Sequence, residues 1–244
     1  MRATLASEYL KLRTLRLPAL LLVMGTVFSG AIGVSGVLMQ PAGTPLDIDQ
    51  AGRAVTAPIW FLVAVVAILA SAGEFQHHTI RTTLLSTPHR TDVLISKAVV
   101  MGGYGAVMTG LGMAASITAV LVTARIDGVP LDAGGAAAWF GLAAAVWAGA
   151  LFGMLAAALG MLTRGTALAL TALLLWYFVG EGVLPVVLRQ PGLSHWTPSG
   201  VATTLTYPAF EQLSTVLASG AALFGYTAVF VAAAAWMFLR RDPD

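Results

Sequence analysis

The stretch Ala136–Leu162, AAAWFGLAAAVWAGALFGMLAAALGML, decides the fold class: 27 consecutive residues carry no charged group and no amide or hydroxyl side chain. At about 1.5 Å per residue, a helix of this length measures ~40 Å, more than the ~30 Å hydrocarbon layer of a bilayer. Five further apolar runs flank it, Pro18–Met39, Ala57–Gly73, Ala98–Thr123, Thr166–Leu188 and Leu217–Leu239. They are continuous, not alternating, which excludes the short dyad-patterned strands of a membrane β-barrel. The whole chain of 244 residues is 58% hydrophobic and 10% charged, with a mean hydropathy of +0.84. A soluble domain is about 25% charged, so this composition cannot cover a soluble surface. The expected fold is an all-α integral membrane protein, a single transmembrane domain over 1–244 with six spans.

Ser29-Gly30-Ala31 is small enough for a signal-peptide cleavage site, but the first run continues to Met39. That exceeds the 7–15 residues of a signal h-region, so the first span is expected to remain uncleaved. Orientation follows from the basic residues. Arg2, Lys11, Arg13, Arg16, Arg81, Arg90, Lys97, Arg164, Arg240 and Arg241 fall on one side, and only Arg53, Arg125 and Arg189 on the other. Ten against three predicts cytoplasmic termini. Trp60 and Trp139 at the outer face and Trp236 at the inner face fit an aromatic belt. No internal repeat supports a duplicated transporter architecture. The scattered basic residues form no nucleic-acid face, and the absence of Cys excludes disulfides and thiolate chemistry.

Apart from Glu181, the six runs hold no Asp, Glu, His, Lys or Arg. This disfavours an ion-coupled transporter, which needs intramembrane relays. No H-E-x-x-H or G-x-S-x-G is present, so no protease or hydrolase site is expected. The only lysines, Lys11 and Lys97, precede Leu12 and Ala98, so no phosphate-binding G-x-x-x-x-G-K-[ST] can form. Any ATP must bind another chain. Glu181 lies in Gly180-Glu181-Gly182 ahead of Pro185, a pattern for a broken helix. Two readings stand: a carboxylate on a substrate path, or one reaching outer headgroups from a helix end. Gly149 and Gly153 form G-x-x-x-G, and Ser29 and Gly33 a looser version. Both suit close helix packing within the chain, with a dimer contact as the alternative.

Two segments outside the runs are more specific. In residues 1–17, Leu5, Tyr9 and Leu12 share a helical face opposite Ser7, Lys11 and Thr14, which reads as an interfacial helix before Pro18. The connection Glu74 to Lys97 contains a short helical segment, Thr79 to Thr87, closed by Pro88, and Thr91-Asp92 suits the start of the next helix. His77, His78 and His89 read as solvated or partner-facing, not as a metal cluster.

Ser7-Glu8-Tyr9-Leu10-Lys11-Leu12-Arg13 resembles the S-E-[WY]-x-K-L-R opening of small type-2 exporter permeases of the ATP-binding-cassette (ABC) class. Glu74-Phe75 through Thr79-Ile80-Arg81-Thr82-Thr83-Leu84-Leu85 resembles that family's loop after span two, E-[FY]-x-x-G-T-I-R-x-x-L, with His78 in place of Gly. Trp196-Thr197-Pro198 resembles its outer segment. The resemblance implies two permease chains, identical or not, with two cytoplasmic ATPases that carry Mg-ATP. No cofactor is implied for this chain, and no enzymatic activity of its own. It further implies an elbow helix with Glu8, Tyr9, Lys11 and Arg13. A coupling helix between spans two and three would present Glu74, His77, His78, Thr79, Ile80, Arg81, Thr82, Leu84 and Leu85 to the ATPase. Spans one, two and five would line the central path, capped by short outer helices in 189–216. Met24, Phe28, Trp176, Phe178 and Glu181 would lie along this path. The expected cargo is hydrophobic or amphipathic (a drug, peptide or lipid), exported across the plasma (inner) membrane. The alternatives are a membrane-embedded sensor that signals through the same loop, and an ion-coupled transporter.

Overall fold

The computed structural model describes all residues except 1, 42, 77–89, 190, 209–212 and 241–244. Six apolar stretches within it are long enough to cross a membrane, Arg16–Leu38, Ile48–Gln76, Thr91–Asp127, Ala136–Thr163, Thr166–Val183 and Ser214–Arg240. The architecture is therefore that of an all-α, multi-pass membrane protein. We number the helices α1 (Arg2–Thr14), α2 (Arg16–Leu38), α3 (Ile48–Ala54), α4 (Thr56–Gln76), α5 (Arg90–Asp127), α6 (Ala136–Thr163), α7 (Thr166–Leu175), α8 (Leu184–Val187), α9 (Pro198–Thr206) and α10 (Leu213–Arg240). A π-helical segment, Trp176–Val183, continues α7, and a 3-10 turn spans Pro191–Trp196.

The bundle is organised around α5 and α6. Helix α5 lies along α2 on one side and α6 on the other, while α6 also packs on α4 and α10. Small side chains make this possible. A Cβ on Gly105 would collide with the backbone oxygen of Gly149, and one on Gly153 with the backbone oxygen of Met101. The G-x-x-x-G of α6 is thus spent on α5 within the chain. Ser29 and Gly33 of α2 do the same: Gly33 meets the carbonyl of Ser116, and a Cβ on Gly112 would lie 2.9 Å from Ser29 Oγ. In a bilayer the hydrophobic effect does not hold helices together, and close backbone approach of this kind replaces it.

Three features depart from the expected layout. Helix α5 is 38 residues long and runs well past the apolar run Ala98–Thr123 at both ends, so Lys97 sits inside the helix and is 1% exposed. Trp60 is not a belt residue. It is buried and stacks on Phe152 at 5.2 Å, whereas Trp139 and Trp236 are exposed. On α1 the buried face is Thr4 and Glu8, with Lys11 and Leu12 half-buried, and Tyr9 is exposed. The apolar stripe Leu5-Tyr9-Leu12 is therefore split: Leu12 packs against the core and Leu5 is half-buried, while Tyr9 is exposed.

At the end remote from α1, Leu46–Asp47 and Leu131–Asp132 pair as a two-residue parallel ladder. It ties the loop after α2 to the loop after α5. Span five carries the π-helical segment and is the least buried of the six.

The α5–α6 crossing predicts a sharp contrast along one helix. Gly105→Val should lower stability by about 1–3 kcal/mol through overpacking, read as a lower thermal midpoint in detergent. Gly103→Val, where nothing lies within 4 Å of an added Cβ, should change it little.

Candidate functional sites at the two ends of the bundle

At the α1 end, four charged side chains close into a ring. Lys97 Nζ donates to Glu8 Oε2 at 2.6 Å and to Glu74 Oε1 at 2.9 Å. Lys11 Nζ donates to Glu8 Oε1 at 2.6 Å and to Glu74 Oε1 at 2.9 Å. Each ammonium bridges both carboxylates, so charges alternate and sum to zero. Glu8 and Lys97 side chains are each 2% exposed, Glu74 12% and Lys11 36%. Ions this deep need partners, since burial of a lone charge costs several kcal/mol.

The positions of the four residues give the ring its consequence. Glu8 and Lys11 lie on one face of α1, three residues apart. Glu74 is in the last turn of α4, just before the 77–89 connection, and Lys97 is two turns into α5, just after it. The ring therefore fastens both roots of that connection to each other and to α1. Tyr104 adds a second tie, donating from its hydroxyl to the Pro18 carbonyl at 3.0 Å.

Burial by itself raises the Glu8 carboxyl, but Lys97 and Lys11 outweigh it and hold the group below its ordinary 4.5. Burial works to lower the Lys11 ammonium, and Glu8 and Glu74 outweigh it, leaving the group above 10.5. The signs are opposite, so their pH windows are opposite too. What Glu8 contributes to stability is present above 4.5 and lost as pH falls through its depressed folded value. What Lys11 contributes is present below 10.5 and lost as pH rises through its raised one.

At the remote end, a cavity of about 560 Å³ lies between spans two, four, five and six. Its wall is almost wholly apolar and rich in aromatic rings. Glu181 is on it, at the end of the π-helical segment. Trp176 Nε1 donates to Glu181 Oε1 at 3.1 Å, the Ser199 backbone N–H donates to the same oxygen at 3.3 Å, and Ser199 Oγ donates to Oε2. The i, i+5 pairing of Trp176 with Glu181 matches the wider π turn. Ser199 is in the first turn of α9, so the carboxylate also faces the positive end of that helix. Thr197 completes the cap, accepting from Gly200 N–H at 3.1 Å. The other end of α9 is held by a cation: Arg53 Nη1 donates to the Thr206 carbonyl at 3.1 Å, and its guanidinium lies 4.5 Å over the Tyr207 ring. Arg53 pairs in turn with Asp49, four residues before it. Helix α9 is thus clamped by charges of the sign its dipole favours at each end.

The residues singled out from sequence fall into three groups. Glu8, Lys11 and Glu74 come together in the ring, while Tyr9 and Arg13 lie on the exposed side of α1. Trp176 and Glu181 come together on the cavity wall. Met24 and Phe28 are exposed on α2 away from it, and Phe178 is exposed and edge-on to Tyr177 at 5.5 Å. His77, His78, Thr79, Ile80, Arg81, Thr82, Leu84 and Leu85 lie outside the described residues, as does His89. Sequence reasoning missed Lys97, Ser199 and Arg53. Lys97 had one usable signal, a lone lysine at the very edge of an apolar run. Among the described residues, no group of three or more His, Asp or Glu side chains could hold a metal ion.

Two outcomes are expected. Lys97→Met should lower stability by about 3–5 kcal/mol, since it strands buried carboxylates. Adding Glu8→Gln should recover part of that loss by leaving Lys11 and Glu74 as a balanced pair. A spin label at Ala3→Cys should report a docked α1 between the two pH limits, and release of α1 below the acid limit and above the alkaline one. Compared with known protein families and with curated proteins, the chain matches no family model and no curated protein.

Proposed function

We propose that this chain is the membrane-spanning permease subunit of an ABC exporter in the plasma (inner) membrane. Its α1 end would face the cytoplasm, and two copies or two related chains would associate with two separate ATPases. The observation that carries this reading is the ion ring at the roots of the 77–89 connection. A force applied to that connection is delivered at once to α1, α4 and α5, because Glu8, Lys11, Glu74 and Lys97 join them. This is the mechanical property a coupling segment needs. It also gives α1 a role as the element that stiffens the connection from the membrane surface.

Three further points support the reading. The sequence resembles type-2 exporter permeases at α1 and through the connection. It contains no nucleotide-binding loop, so the energy must come from a partner. Lys97, the one lysine inside a span, is paired with Glu8 and Glu74, so it is not an unpaired relay of the kind an ion-coupled transporter uses. In this mechanism ATP closes the ATPase dimer, the connection follows, and the permease halves move as bodies about their interface. The ATPase supplies the free-energy difference between states.

The sensor alternative rests on the cavity, which is formed within a single chain and could hold a ligand without any transport path. ATP-dependent movement of cargo into sealed vesicles separates the two.

The reading is tested by purifying the chain from its native membrane and identifying what accompanies it. An ABC ATPase with Walker and signature motifs should co-purify. Arg81→Glu combined with Leu84→Asp should abolish that association while leaving the thermal midpoint unchanged. Absence of any ATPase with the wild type, or undiminished association of the double variant, overturns the coupling assignment.

A further inference from the structure

The cavity at the remote end contains an imbalance of charge. Its wall combines aliphatic side chains with aromatic rings, among them Trp60, Phe152, Trp176, Trp196, Tyr226 and Phe230. Its one charged lining residue is Glu181. Among the described residues the donors to that carboxylate are neutral: an indole N–H, a hydroxyl and a backbone N–H. Among the described residues no cation pairs with it. The contrast within the same chain is direct, because Glu8 and Glu74 each bind two ammonium groups, and Asp49 binds a guanidinium. The helix dipole of α9 offsets only part of a full negative charge.

Two other features point to a bound molecule. The π-helical segment Trp176–Val183 is an unfavourable backbone form that recurs at functional sites, and here it brings both Trp176 and Glu181 to the wall. The volume suits a drug-sized ligand, and a concave apolar wall with few convergent polar groups is the usual form of a small-molecule site. Aromatic faces carry negative electrostatic potential and attract cations, most strongly when dry. A carboxylate and a cage of rings together select for positive charge on an apolar body.

We propose that this cavity is a binding site for a lipophilic organic cation, with the positive centre toward Glu181 and the apolar body against the rings of spans two, four and six. Binding needs only this chain. The further step, that such a cation is the exported cargo, rests on the transport reading above.

Tetraphenylphosphonium is a suitable probe because its charge is fixed, and triphenylphosphine oxide is a neutral aryl counterpart. Equilibrium dialysis with the purified chain in detergent measures both, and quenching of tryptophan fluorescence reports entry into the cavity. The wild type should bind the cation at least about tenfold more tightly than the neutral compound. Glu181→Gln keeps one carbonyl oxygen to accept from Trp176 Nε1 and the Ser199 N–H, turns the other contact into an amide that donates to Ser199 Oγ, and removes the charge. It should bring the cation down to the level of the oxide while leaving oxide binding in place, and the thermal midpoint should fall only slightly through the lost charge at the start of α9. Equal binding of the two probes by the wild type overturns the proposal whether or not the variant folds, and marks the cavity as a general apolar site such as one for acyl chains. Undiminished cation binding by a folded Glu181→Gln overturns it too. Because the dialysis contains no ATPase, either result leaves the transport reading untouched.

Discussion

Charge in a low-dielectric interior must be neutralised where it sits, and this constraint shapes the chain at both ends. At the α1 end it is met by side chains. Lys97 is carried into the protein by a helix longer than its apolar run, and Glu8 and Glu74 converge on it. Lys11 closes the ring and cancels the second carboxylate charge. The bundle-facing side of α1 combines these ions with Leu12, which packs against the core, while Tyr9 and Leu10 are exposed. The ring fastens the amino-terminal helix to α4 and α5.

The remote end meets the same constraint with backbone. Helix α9 is short, and its dipole is satisfied by Glu181 at the start and by Arg53 at the end. These two residues come from span five and from the short helix before span two, so the cap joins parts of the bundle that are distant in sequence. Arg53 is balanced by Asp49, and Glu181 lies on the wall of a cavity rich in aromatic rings. Between the ends, glycine and alanine let α5 and α6 approach to backbone contact. A centre packed this closely deforms little.

Much of the architecture could be read from composition. Each apolar run is sufficient by itself to specify a span, and five of the six expected runs coincide with helices to within a few residues apart from the long extension of α5. The G-x-x-x-G pattern was legible as a packing face, and only the coordinates show that the partner is α5 of the same chain. Glu181 stood out as the one carboxylate in an apolar run, and its broken-helix context was visible from the flanking glycines. Its partner Ser199 was not, because nothing local marks a serine as the first turn of a cap for a distant carboxylate.

The sequence by itself determined the solvent, the number of spans and the lack of a nucleotide-binding loop. These depend on local quantities: the length of an apolar run, its charge content, the presence of a short motif. Only the tertiary structure decided which charges meet. Lys11 and Glu74 are 63 residues apart, and Glu8 and Lys97 are 89 apart. Whether such groups converge depends on how far each helix extends and how each is rotated against its neighbours. That is a property of packing between helices, and no single helix encodes it.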